Sequence, residues 1–121
     1  MPSFSDDYPL KQSCCRLEDL RKANFAPDLT IEVLSEQKVY AHRIILAARI
    51  PALQESLANP GISLSWSSYS QSVVESLLEY VYTGTVSISQ DNAQNLLRMA
   101  KTLHMDTLEE WCIQFLIKRF V

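Results

Sequence analysis

Apolar and polar residues alternate between positions 29 and 33. Leu29, Ile31 and Val33 fall on one side of an extended chain, and the residues between them fall on the other side. A period of two predicts a β-strand that buries one face. The polar stretch 35–37 is short enough to reverse the chain, so the pattern predicts an antiparallel hairpin whose second strand begins at Val39.

The second predicted strand leads directly into an apolar helix. Residues 44–48 read Ile-Ile-Leu-Ala-Ala, and a helix of this composition is apolar on nearly every side. A helix of this kind is either central to a core or shared with a second copy of the chain. The pattern leaves both alternatives open.

A short helix is predicted to begin near Ser13. Leu17 and Leu20 form a narrow apolar stripe along it, whereas the charged residues, Glu18 and Arg21 among them, are expected to face solvent. Because a stripe this narrow does not stabilise an isolated helix, the helix must dock on another element. Residues 1–13 are polar and contain two prolines, so we expect a flexible N-terminal segment before a single folded domain at 14–121.

The rest of the chain predicts mostly helices. Strands come first and helices cluster after them, so the predicted class is α+β, with a small, mainly antiparallel sheet capped by helical hairpins. The predicted elements are a helix from Pro51 to about Asn59, a strand at 62–66, a helix around 73–81 ended by Gly84, a short strand at Val86 and Ile88, and helices around 91–103 and 106–116.

The amino-acid composition and charge exclude several classes of function. The chain has 121 residues, 47% of them hydrophobic, which is enough for one core without metals or disulfides. The net charge of −3 is spread along the chain without a basic stripe, so no nucleic-acid binding is expected. The longest apolar run, 44–48, is too short to cross a membrane, and the N-terminus does not read as a signal peptide. Three cysteines form no disulfide framework, which fits a reducing cytoplasm or nucleus.

The chain contains histidines, cysteines and serines, but their spacing in the sequence matches no catalytic or metal-binding motif. His42, His104 and the cysteines have no Cys-x-x-Cys or His-x-x-x-His arrangement that could close a zinc site. Cys112 falls on the apolar face of a helix, where a thiol is usually inert. The serines between 63 and 72 lack a Gly-x-Ser-x-Gly elbow. We therefore predict no enzyme activity, no metal and no cofactor.

Four motifs in order resemble the BTB/POZ domain family. They are Leu-x-x-Leu-Arg at 17–21, Ala-His-Arg with Leu-Ala-Ala at 41–48, Tyr-Val-Tyr-Thr-Gly at 80–84, and a closing helix pair with Cys112 and Phe-Leu at 115–116. The leading helix is most similar to that of kelch-like substrate adaptors, which dimerise through it and recruit cullin-3 ubiquitin ligases. Other branches of the family assemble transcription regulators and bind corepressor peptides, and that alternative stays open.

The resemblance implies three sets of site residues. Asp28 and Arg43 occupy the positions of a charged pair near the dimer groove, either as a buried ion pair with a capping role or as part of a peptide pocket. The implied dimer interface consists of Leu17, Leu20, Arg21, Phe25, Ile44 and Ile45. The implied cullin-facing surface consists of Leu53, Leu57, Asn59, Pro60, Tyr82, His104, Met105 and Asp106.

The chain departs from the adaptor pattern after the Leu-Ala-Ala block. The loop that carries an apolar-x-Glu element in adaptors is reduced to Ala-Asn-Pro-Gly at 58–61. The resemblance therefore implies a homodimer, with cullin-3 binding weakened by the missing element and the substrate bound by regions outside this chain.

Overall fold

The computed structural model describes residues 3–5, 16–59, 61 and 63–119. Most of the predicted flexible segment 1–13 lies outside these residues, as do Cys14, Cys15 and Pro60. The domain limits of 14–121 remain a prediction.

A three-stranded mixed sheet forms one layer of the fold. Strands β1 (Leu29–Val33) and β2 (Lys38–Ala41) are antiparallel, with Ile31 opposite Val39. Strand β3 (Leu64–Trp66) pairs parallel with β1, and the order is β2-β1-β3. The predicted alternation in β1 is confirmed, because its three apolar side chains are buried in the core. The α+β class is confirmed, with a sheet that has one antiparallel and one parallel pair.

The turn between β1 and β2 is tight. A single 3₁₀ turn, Leu34–Glu36, reverses the chain, as the polar stretch predicted. Ser35 and Glu36 adopt positive φ angles of 66° and 61° there. Such angles are disfavoured for residues with a side chain.

Helices cover the sheet and supply most of the core. The first helix, α1, is described over residues 16–22. The helices after it are α2 (Arg43–Arg49), α3 (Gln54–Leu57), α4 (Gln71–Thr83), α5 (Ala93–Thr102) and α6 (Asp106–Arg119). The 3₁₀ turn Pro51–Leu53 leads into α3, as expected for a proline at a helix start. Helices α5 and α6 pack along each other as a hairpin.

Helix α4 is the central helix. The Ser70 hydroxyl caps its first turn by accepting a hydrogen bond from the Val73 N–H, and Gly84 ends it with a φ of 82°. Its predicted core face at 73–81 is buried. The predicted helix and its glycine stop are confirmed.

Two predictions about local structure are wrong. Val86 and Ile88 form no strand, because the main chain around them bonds to the Asn92 side chain: Asn92 Oδ1 accepts from the Ser89 N–H and Nδ2 donates to the Ser87 carbonyl. On α1, Glu18 and Arg21 do not face solvent but are only 6% and 4% exposed. They can be buried because they pair with each other.

Candidate interaction surfaces

Helices α1 and α2, together with the loop that follows α1, present an exposed apolar surface. Ile44 is 79% exposed, Phe25 59% and Leu20 37%, and Leu17 and Ile45 are half-buried beside them. We call these five residues the apolar face. Of the two alternatives for α2, burial in a core therefore applies only to Leu46.

Two shallow grooves lie along the apolar face. One, of about 240 Å³, runs between α1 and α2 and includes Ala26 and His42 in its wall. The other, of about 460 Å³, continues past Ala48 and Arg49 to the C-terminal end of α4. An apolar face with grooves is the kind of surface that marks a protein-binding site.

Arg21 lies behind the apolar face and not on it. Its Nε donates to Glu18 Oε1 over 2.5 Å, and its Nη1 donates to Glu75 Oε2 over 2.8 Å. Burial alone would lower the pKa of Arg21, but the bonds to the two carboxylates outweigh it and raise the pKa. The predicted position of Arg21 in the dimer interface is corrected: its guanidinium joins α1 to α4.

Glu18, Arg21 and Glu75 form a charged cluster, which we call the Arg21 cluster. One atom of this cluster lacks a hydrogen bond to any described residue. Glu18 Oε2 has no hydrogen-bond partner among the described residues. The cluster also contacts an aromatic ring, because Arg21 Cζ lies 5.4 Å from the centroid of Tyr82. The sequence could not reveal this arrangement, since Glu75 is 54 residues from Arg21.

His42 connects α4 to the loop before β1. Its main-chain N–H donates to the Tyr82 hydroxyl over 2.9 Å, and its Nδ1 lies 2.8 Å from the same oxygen. Its Nε2 donates to the carbonyl oxygen of Phe25 over 2.7 Å. Sequence reasoning considered His42 only as a metal ligand, although the Ala-His-Arg motif contained it.

Asp28 and Arg43 meet through the main chain. Asp28 Oδ1 accepts a hydrogen bond of 2.8 Å from the Arg43 N–H, which caps the first turn of α2. The Arg43 guanidinium donates to the carbonyl oxygens of Leu57 and Asn59. Asp28 is exposed and Arg43 half-buried, so the expected burial of the pair is wrong.

Half of the predicted cullin-facing residues are in the core. Only Asn59, His104 and Asp106 expose their side chains there, and Pro60 is outside the described residues. The other four residues are buried and do not form an exposed surface, which corrects their expected placement. They are Leu53, Leu57, Tyr82 and Met105.

The described residues were also compared with the requirements for a metal site, a membrane-spanning helix and a reactive thiol. No three His, Cys, Asp or Glu side chains come together there as a metal site. No helix in that part of the chain is long and apolar enough to span a membrane. Cys112 is buried, and burial raises the pKa of its thiol to about 11.

Comparison with known proteins gives the family. The model of the BTB/POZ domain family matches residues 17–120. The chain belongs to the BTB/POZ family. Its BTB/POZ domain is a protein–protein interaction domain, and the family is generally non-enzymatic.

Relatives and solved structures agree with this assignment. Human influenza virus NS1A-binding protein is 31% identical in an alignment that covers 96% of this chain and 19% of that protein. Mouse kelch-like protein 7 is 26% identical in an alignment that covers 83% of this chain and 18% of that protein. This BTB/POZ chain thus spans about one fifth of the length of these relatives.

Two solved BTB domains share the fold. The domain of zebrafish PATZ1 superposes with a TM-score of 0.81 at 22% identity, covering 98% of this chain and 99% of that one. The domain of human gigaxonin gives a TM-score of 0.78 at 23% identity, with coverages of 95% and 97%. The expected resemblance and fold are confirmed.

Proposed function

We propose that this BTB/POZ domain forms a homodimer through its apolar face. The observation that supports this proposal is the exposure of Leu20 and Ile44 on two adjacent helices and of Phe25 in the loop that follows α1. A two-fold axis would let the same patch bury itself against its own copy, which is the commonest symmetry of soluble oligomers. The buried Arg21 cluster would hold α1 in place beneath the interface.

Charge introduced into the apolar face tests the dimer. The variant Leu20→Glu, alone and with Leu17→Glu, should convert a dimer into a monomer in size-exclusion chromatography with light scattering. Leu34→Glu is the matched control, because Leu34 is similarly exposed but lies in the hairpin turn away from the face. A dimer that persists in the double variant would rule out this interface.

We propose further that the dimer serves as a substrate adaptor of a cullin-3 ubiquitin ligase, in the cytoplasm or nucleus. Similarity to a kelch-like protein supports this role, because the resemblance of the chain to kelch-like substrate adaptors implies recruitment of cullin-3. The substrate would bind outside the BTB/POZ domain, because the relatives are about five times longer than this chain. Dimerisation would then double the number of substrate sites and increase avidity.

The proposed cullin surface has few exposed groups. Asn59, His104 and Asp106 are its exposed side chains among the described residues. The apolar-x-Glu element is absent from the loop at 58–61. Loss of one good anchor costs about 2 kcal/mol, or over tenfold in affinity. We therefore expect weaker binding than in adaptors that carry the element.

Titration calorimetry with the N-terminal region of cullin-3 measures this binding. We expect a micromolar dissociation constant that Asn59→Lys increases. Gln114→Lys, which also replaces an exposed amide side chain by lysine but lies on α6, should leave it unaltered. Nanomolar affinity would show that the missing element is dispensable. The absence of heat would reject the adaptor role and leave dimerisation intact.

A further inference from the structure

His42 occupies the edge of the apolar face. The ring lines the groove between α1 and α2, and its two nitrogens bond to Tyr82 on one side and to Phe25 on the other. Phe25 is one of the most exposed residues of the face. His42 therefore links the core helix α4 to a residue that we assign to dimerisation.

The hydrogen-bond partners determine the tautomer of His42. A carbonyl oxygen only accepts, so Nε2 carries a hydrogen and donates it to Phe25. In the neutral ring, Nδ1 then accepts from the Tyr82 hydroxyl, whose oxygen in turn accepts from the His42 main-chain N–H. Burial raises the pKa of Tyr82 to about 12, so the hydroxyl keeps its hydrogen near neutral pH. Every donor among these bonds has an acceptor.

The main chain around Phe25 is strained. Ala26 has a φ angle of 46°, which is unfavourable for a residue with a Cβ, and Asn24 has a φ angle of 54°, which asparagine tolerates better. The Phe25 N–H is held by the Leu20 carbonyl over 2.9 Å, and the Phe25 carbonyl is held by His42. Such a conformation persists only where the surroundings enforce it, so the bond from His42 is one of its restraints.

We propose that His42 positions Phe25 for dimerisation and that protonation of His42 weakens the dimer. The inference rests on the dimer proposed above. In the protonated ring, Nδ1 also carries a hydrogen directed at the Tyr82 oxygen, so the hydroxyl hydrogen has to turn away. The hydroxyl is buried and bonds to no other group in the described part of the chain. A buried donor without an acceptor is costly, and a cation in the wall of an apolar groove opposes its burial in an interface.

Charged groups on several elements face this site. The Asp28 carboxylate, next to the Arg43 N–H, favours the imidazolium, whereas the Arg43 guanidinium opposes it. Behind the Tyr82 ring, the opposing charge of Arg21 is offset by its carboxylate partners, Glu18 and Glu75. Carboxylates outnumber guanidinium groups by one, so the weakening of the dimer follows from the hydrogen-bond geometry and from the burial of a cation, not from the net charge of these groups.

The dimer dissociation constant at pH 8 and pH 5.5 tests the proposal. Sedimentation equilibrium of the 121-residue chain should show a weakening of about tenfold or more at the lower pH, across the range in which histidines titrate. His42→Gln keeps a donor of similar reach and should reduce the change to about twofold or less. His104→Asn is the matched control, because the other histidine is exposed and its φ of 56° suits asparagine. If the dimer of His42→Gln weakens between pH 8 and pH 5.5 as much as the dimer of the unmodified chain, the proposal is overturned.

Nuclear magnetic resonance separates this proposal from the dimer itself. The ¹⁵N spectrum of the imidazole should show the Nε2–H tautomer at pH 8, and the Phe25 and Ala26 amide signals should shift with the His42 titration. If the chain is a monomer at pH 8, the proposed dimer fails, whereas these spectra still report on the link between His42 and Phe25. An Nδ1–H tautomer, or Phe25 signals that ignore the titration, would refute that link.

Discussion

At the residue scale, the turn between β1 and β2 contains backbone strain that a single substitution should relieve. Glu36 is a non-glycine residue with a φ of 61°. Glycine adopts this angle without a steric penalty, although it loses more entropy on folding. Glu36→Gly should therefore raise the free energy of unfolding by about 0.5–1 kcal/mol in urea denaturation.

The control for this prediction is Glu55→Gly. Glu55 is exposed in α3, where glycine should lower the free energy of unfolding by about 1 kcal/mol. Destabilisation of similar size at both positions would show that the turn is not strained at Glu36.

Cys112 predicts a pH dependence of stability. Burial raises the pKa of its thiol from 9.0 to about 11, so the unfolded chain releases this proton first as the pH rises. The stability that the buried thiol contributes is therefore complete below pH 9 and declines towards pH 11. Unfolding of the chain and of Cys112→Ala at several pH values measures the decline as the difference between them. A difference that stays constant from pH 9 to pH 11 would contradict the assignment.

Sequence reasoning at this scale succeeded where the pattern was local. The alternation in β1 predicted which side chains are buried, because a strand alternates its faces. It failed for Glu18 and Arg21, since charge alone suggested solvent and the second partner of Arg21 comes from a distant helix. It also placed Tyr82 on a surface, although its hydroxyl is buried against His42.

At the scale of elements, α1 is held on the domain by its buried charges. Arg21→Met leaves Glu18 buried without its cation and should lower the free energy of unfolding by about 3–5 kcal/mol. Glu18→Leu combined with Arg21→Met removes both charges and should recover most of that loss. Urea denaturation of the two single variants and the double variant measures the coupling. Additive losses would mean that the pair does not interact.

Element types were easier to predict than their surroundings. Pro51 and Gly84 mark helix ends where the sequence placed them. The strand at Val86 and Ile88 was wrong because alternation alone does not supply a neighbouring strand. The direction of β3 was not predictable, since a parallel partner is set by the path of the intervening chain.

At the scale of the whole molecule, the sequence motifs were sufficient to predict the fold but not to predict which residues form the interaction surfaces. Four motifs in order sufficed for the BTB/POZ fold, which is confirmed. The resemblance supplied the candidate interface residues, but only their burial in the structure distinguishes surface residues from core residues. Ile44 and Phe25 are exposed, whereas Leu57 and Arg21 are buried. The side of a helix that faces outward depends on the packing of distant elements, which periodicity does not contain.

Sedimentation equilibrium of the unmodified chain and of Ile44→Glu tests the central claim most directly. The unmodified chain should have twice the mass of the 13.8 kDa protomer, and Ile44→Glu should have the protomer mass. Ile117→Glu, on an exposed isoleucine of α6 that is 56% accessible, should remain a dimer. A monomeric unmodified chain at micromolar concentration, or a dimer of Ile44→Glu as stable as the unmodified one, would contradict dimerisation through the apolar face.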